Sequence, residues 1–185
     1  MVMNEGESEA RPRLLLYAGT GTPVSNDPDV LVKTMTGLGL VGGKLEHSLT
    51  DYLPGERFLD HITFLGCSPN IALSPEEGKS YCYIHFSEMR PSPVLYASTN
   101  TVPPRCRQCE QVMRDWRDCS EPAFCSRCSV EARQDNLMWR RQGALSRWVI
   151  EILNIYPREA VPSAILLTAL ENASGVEWRY AYLQT

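Results

Sequence analysis

Cys106-Arg107-Gln108-Cys109 and Cys125-Ser126-Arg127-Cys128 stand fifteen residues apart, and no other feature limits the folding of this chain as sharply. Two residues between cysteines form a tight knuckle that turns both sulfurs toward one point. A second knuckle at this spacing completes a tetrahedron of four sulfurs around a metal, about 2.3 Å away for zinc, while the intervening segment folds as a ribbon. Cys106, Cys109, Cys125 and Cys128 are therefore the expected ligands of one structural Zn2+ per chain. Rubredoxin-like iron suits the same four thiolates. Neither knuckle contains a histidine or a carboxylate, and a closed set of thiolates leaves no position for a reacting water. Four thiolates around a divalent cation leave excess negative charge, which neighbouring donors offset. Arg105, Arg107 and Arg127 lie in or beside the knuckles and are candidates for that role, or for contact with a partner or a phosphate.

The chain has seven cysteines, at 67, 82, 106, 109, 119, 125 and 128. An odd total with five packed into one short stretch argues against a disulfide framework and for a reducing compartment. Cys119, midway between the knuckles, reads as a plain loop thiol, or as a substitute for one of the four in another arrangement. The first ten residues carry Glu5, Glu7 and Glu9 and no base, the wrong sign for a secretion signal. Apolar runs such as Leu14–Ala18 fall far short of the roughly 18–20 residues that a membrane span needs. The expectation is a cytoplasmic protein with no membrane partner.

Of 185 residues, 43% are hydrophobic and 22% charged, which excludes disorder for the bulk of the chain. Residues 1–12 read as a flexible start, 13–102 as an α+β part and 103–130 as the inserted ribbon. Residues 131–185 read as a connector and a C-terminal β-α-β unit that packs with 13–102 as one domain. The fold class is α+β: a small, mostly antiparallel sheet with a few helices. Asp27, Pro28 and the glycines at 37 and 39 punctuate a short helix, with Leu31, Met35 and Leu38 on one stripe. Phe58–Leu65, Asn70–Leu73, Tyr81–Met89 and Val94–Thr99 read as four strands of a meander. Residues 129–146 read as a partly helical connector. Trp148–Ile155 fits strand or helix, and its β-branched content favours strand. Pro162 opens a helix that Gly175 closes, and Glu177–Gln184 alternates as a strand. No internal repeat is apparent.

Other candidate sites are weaker. His61, Cys67, Cys82 and His85 invite a Cys/His catalytic reading, but no local base or charge activates either thiol. Cys82 shares a strand face with Ile84 and Phe86, and His47 reads as a surface residue. Gly19-Thr20-Gly21-Thr22 follows a strand but lacks a phosphate-loop pattern, and Asp27 and Asp29 would repel an anion at the next helix. Trp178, Tyr180 and Tyr182 form a row that fits the core face of a sheet better than a base-stacking platform.

The segment Cys106–Cys128 resembles the zinc-ribbon superfamily, on its two knuckles alone. The resemblance implies tetrahedral zinc on the four cysteines, and it implies no activity, because ribbons serve in nucleic-acid contact, in protein contact and as staples. The rest of the chain carries no family motif and resembles a bacterial protein in texture only. Between Arg105 and Arg147 lie nine arginines and six acids, a modest positive bias within a chain of net charge -4. The expected function is a non-enzymatic, zinc-stabilised interaction or adaptor protein with a protein partner. The alternatives are a nucleic-acid binder using the arginine-bearing ribbon and an enzyme with its site in residues 13–99.

Overall fold

Leu14, Leu15 and Leu16 are all fully buried. Consecutive strand residues point to opposite faces, so a strand of this kind must be covered on both sides. The computed structural model describes residues 11–25, 27–65, 71–75, 80–117, 124–156 and 158–184. In it β1 (Arg13–Ala18) sits inside a six-stranded antiparallel sheet. The other members are β2 (Val41–Lys44), β3 (Asp51–Pro54), β5 (Tyr83–Phe86), β10 (Val149–Leu153) and β12 (Trp178–Leu183), in the order β12-β1-β10-β5-β3-β2. Three further pairs lie outside it. β4 (Ile62–Phe64) pairs with β11 (Ala160–Pro162), β6 (Val94–Ala97) with β9 (Gly143–Ser146), and β7 (Arg105–Cys106) with β8 (Leu137–Met138).

Registers decide which face each side chain serves. Leu14 and Leu16 stand opposite Ile152 and Ile150 on one side and Tyr182 and Tyr180 on the other. Ile84 and Phe86 continue the row. This face is covered by α1 (Pro28–Gly37) and α3 (Ala164–Ser174), which pack on each other and contribute Leu31, Met35, Leu166 and Leu170. Leu15, Val149 and Leu183 point the other way, where Ala144 of β9 and Tyr96 of β6 cover them. The β6–β9 pair thus lies over the second face, and it carries the cysteine segment.

The α+β class and the C-terminal β-α-β unit are as expected, with one refinement. β10 and β12 are each antiparallel to β1, so they run parallel to one another with β1 between them and α3 as the crossover. Helix punctuation is largely as read. Asp27 caps α1 by accepting from the Asp29 N–H at 3.0 Å. Gly175 ends α3 at φ 76, where a Cβ would lie 2.8 Å from Val24. The start of α3 is two residues later than expected: Ser163 is the cap, accepting from Leu166 N–H at 3.2 Å, and Pro162 belongs to β11.

The meander is corrected. Phe58–Leu65 opens as a single helical turn, α2 (Phe58–His61), that buries Phe58 and His61 on one side before β4 begins. Ile71–Leu73 forms no strand, although Ala72 accepts from the Cys82 N–H at 2.7 Å. β4, β5 and β6 each pair with strands remote in sequence. The connector is one 3₁₀ turn, Gln134–Asn136, followed by β8 and β9. Among the described residues no helix is long and apolar enough to cross a membrane.

Candidate metal centre

The sulfurs of Cys106, Cys109, Cys125 and Cys128 all lie within 4.8 Å of one another. Cys106 and Cys128 are 3.7 Å apart, and Cys109 and Cys125 are 3.5 Å apart. Four sulfurs at about 2.3 Å from a tetrahedral ion would be separated by roughly 3.8 Å, so the four positions fit a single metal of that size.

The backbone that delivers them is the same twice over. In the first knuckle Cys106 N–H donates to Gln111 O at 2.9 Å and Glu110 N–H donates to Cys106 O at 2.9 Å. In the second, Cys125 N–H donates to Val130 O at 2.9 Å and Ser129 N–H to Cys125 O at 2.8 Å. Glu110 and Ser129, each four residues after the first cysteine, adopt φ of 60 and 57. Arg105 and Val112 close one turn, Phe124 and Glu131 the other, as matching antiparallel bridges. An eight-residue repeat is therefore present where the sequence reading found none. The two cysteines of each copy were its only visible trace.

Backbone N–H groups also point at the sulfurs. Cys125 accepts from the N–H of Arg127 and of Cys128, and these donors bring its thiol down to about 6. Cys109 accepts from Gln111, which lowers it, yet desolvation and the three neighbouring sulfurs together lift it to about 12. Four sulfurs this close cannot all ionise while nothing positive stands between them. A divalent cation removes that conflict, and the N–H groups are already aimed to share the remaining charge.

Cys106 and Cys125 are buried with Met113, Trp116, Ala132 and Leu137 in a small core separate from that of the sheet. Trp116 meets Trp139 edge-on, with ring centres 5.2 Å apart. The Arg117 guanidinium lies 4.0 Å over the Trp116 ring and donates to Ser98 O and Thr99 O at 2.7 and 2.9 Å. These contacts tie the cysteine segment to the end of β6. Cys119 lies outside the described residues.

Two of the three knuckle arginines face the knuckle backbone. Arg105 donates to Glu110 O at 3.1 Å, and Arg127 reaches Cys109 O at 3.5 Å. Arg107 is exposed and lines a cavity of about 780 Å³ whose opposite wall includes the Gly19–Thr22 loop. That loop is held by Gly19 N–H donating to Glu177 O at 2.8 Å. The start of α1 is occupied by the carboxylate of Asp27, so no phosphate cradle forms there.

Among the described residues, those of the catalytic alternative are not brought together as a nucleophile and base. Cys82 is fully buried and its thiol is pushed up to about 12 by that burial. His61 is buried and satisfied, 3.3 Å from Ser163 Oγ and 3.2 Å from Leu38 O. His85 Nδ1 lies 2.7 Å from Asp51 Oδ1 on the opposite sheet face from Cys82. His47 is exposed, at φ 64. Cys67 lies outside the described residues. Trp178 and Tyr182 belong to the main core and Tyr180 packs against it, as the strand spacing predicts. No family model matches the chain, and no curated protein or solved structure matches it.

Proposed function

We propose that this chain is a non-enzymatic interaction protein whose cysteine ribbon is held by one structural zinc ion on Cys106, Cys109, Cys125 and Cys128. The single observation that carries this reading is the closed set of four sulfurs, all within 4.8 Å of one another. Bound there, zinc would supply charge neutralisation and a rigid crosslink between the two knuckles, at a place where few buried apolar side chains do that work. The outer rim of the ribbon is suited to a protein partner. Phe124 is 63% exposed, beside a knuckle tip where Ser126 and Arg127 are also exposed. An exposed aromatic beside a guanidinium is a common anchor of protein interfaces.

The test is elemental analysis of the purified full chain. One zinc per chain is expected, with Cys106→Ser and Cys125→Ser each losing the metal and Cys119→Ser keeping it. Iron in the site, no metal, or loss of metal on changing Cys119 would each overturn the assignment. Crosslinking of the zinc-loaded chain to a protein partner, abolished by Phe124→Asp with the metal retained, tests the docking role.

A further inference from the structure

Among the described residues seven non-glycine positions have positive φ, and three of them are arginines: Arg140 at 49, Arg141 at 62 and Arg158 at 67. All three line one cavity of about 670 Å³. Left-handed backbone is costly for a long side chain and persists where the surroundings over-determine it. Arg140 and Arg141 are the central residues of the turn between β8 and β9, closed by Gln142 N–H donating to Trp139 O at 2.9 Å. Positive φ at both centres makes it a type I′ turn, for which Asn-Gly is the preferred pair. Arg158 occupies a second turn, closed by Glu159 N–H on Tyr156 O at 3.3 Å.

The β8–β9 turn is fixed in place. Arg141 O accepts from Tyr182 N–H at 2.7 Å, and Gln142 O accepts from Thr101 Oγ1 at 3.1 Å. The Arg141 guanidinium lies 4.3 Å over the Tyr180 ring. Among the described residues no carboxylate lines the cavity and none pairs with these three arginines. No described carboxylate therefore compensates their charges, and all three border the same cavity. Tyr182, whose hydroxyl donates to Ala160 O at 2.6 Å, lines the same cavity. The remaining wall includes Leu65 and Val102, which are 67% and 57% exposed, and Val161.

We propose that this cavity is a binding site for a small phosphate ester, with the phosphate held by Arg140, Arg141 and Arg158 and the organic body against Leu65 and Val102. Guanidinium forks match phosphate oxygens in pairs, and three of them suit a dianion better than a single carboxylate. The volume falls in the range of small-molecule sites and exceeds what bare phosphate needs. The site shares no residue with the four cysteines, so it stands or falls apart from the zinc assignment.

Isothermal titration of the full chain with pyrophosphate, with phenyl phosphate and with inorganic phosphate tests the proposal. Pyrophosphate and phenyl phosphate should bind, phenyl phosphate more tightly than inorganic phosphate. The double variant Arg140→Asn/Arg141→Gly should bind each at least tenfold more weakly, with an unchanged metal content and a Tm equal to or above the parent, because the turn is relieved. Arg158→Gly, in a separate turn, should weaken binding in the same way. Absence of binding by both probes, or equal binding by parent and variants, would overturn the site. So would binding of a single-stranded oligonucleotide that excess pyrophosphate fails to displace, which would indicate a track for a polymer.

Discussion

Replacing the four tryptophans with 5-fluorotryptophan places two reporters in each of two cores. Trp116 and Trp139 meet beside the cysteines, and Trp148 and Trp178 lie 6.0 Å apart within the main core. Consider removal of the metal by a strong chelator. Among the described residues the ribbon core buries six side chains against 22 in the main core. Its largest members are Met113, Trp116 and Leu137, and burial of Met or Leu contributes about 1.5–3 kcal/mol each. Fixing a residue's backbone costs about 1–2 kcal/mol, so three large side chains cannot order two knuckles and the chain between them. A structural zinc contributes an apparent ~10–16 kcal/mol in small ribbons and decides the balance. Chelation should therefore move the fluorine resonances of Trp116 and Trp139 to unfolded positions and leave those of Trp148 and Trp178 in place. Restoring zinc should return the first pair. If all four resonances hold still, the metal does not order the ribbon. If all four collapse, the ribbon is not a satellite of the sheet, and the separation of the two cores argued above is wrong.

Three further outcomes follow from particular contacts. Ser129→Gly should raise stability by roughly 0.5–1 kcal/mol, because φ 57 costs serine what it does not cost glycine; thermal melting of the zinc-loaded protein checks it. Gly143→Ala places a Cβ 2.7 Å from Cε3 of Trp139, and that indole is held by its own bond to Gln134 O at 3.0 Å. The collision should cost about 1–3 kcal/mol and speed zinc loss to a chelator, with the sheet tryptophans unaffected. Cys82 titrates near 9 when unfolded and at about 12 when folded, so the folded state retains a proton that the unfolded chain loses. Its contribution is full below pH 9 and falls by about 1.4 kcal/mol per pH unit between 9 and 12. Denaturant melts should show Cys82→Ala with a shallower alkaline decline than the parent, and an equal slope would refute the burial argument.

The four-cysteine cluster and the helix ends were legible because their causes are local. A knuckle needs its cysteines two residues apart, and Asp27 and Gly175 act on the turn beside them. Strand pairing is not local. Nothing in Tyr83–Phe86 indicates that its neighbours are β10 and β3, so consecutive strands were read as a meander. Phe58, Ile62 and Phe64 have the apolar content of a strand, and a single helical turn ahead of β4 satisfies it equally well. The arginine cavity escaped for a different reason. Its two turns carry arginine where glycine or asparagine would have announced them, and the five segments that line it, near residues 65, 100, 141, 160 and 183, are far apart in the chain.

β1 has consequences for how the protein is made. Among the described residues its ladder partners are β10 and β12, which begin at Val149 and Trp178, more than a hundred residues downstream. Three consecutive leucines, buried on both sides in the folded molecule, therefore lack these partners on the nascent chain until β12 has left the ribosome. Long-range pairing of this kind is slow and leaves sticky intermediates. The triple leucine is accordingly the stretch where a chaperone would be expected to hold the growing polypeptide, and the stretch from which aggregation would start if synthesis stalled.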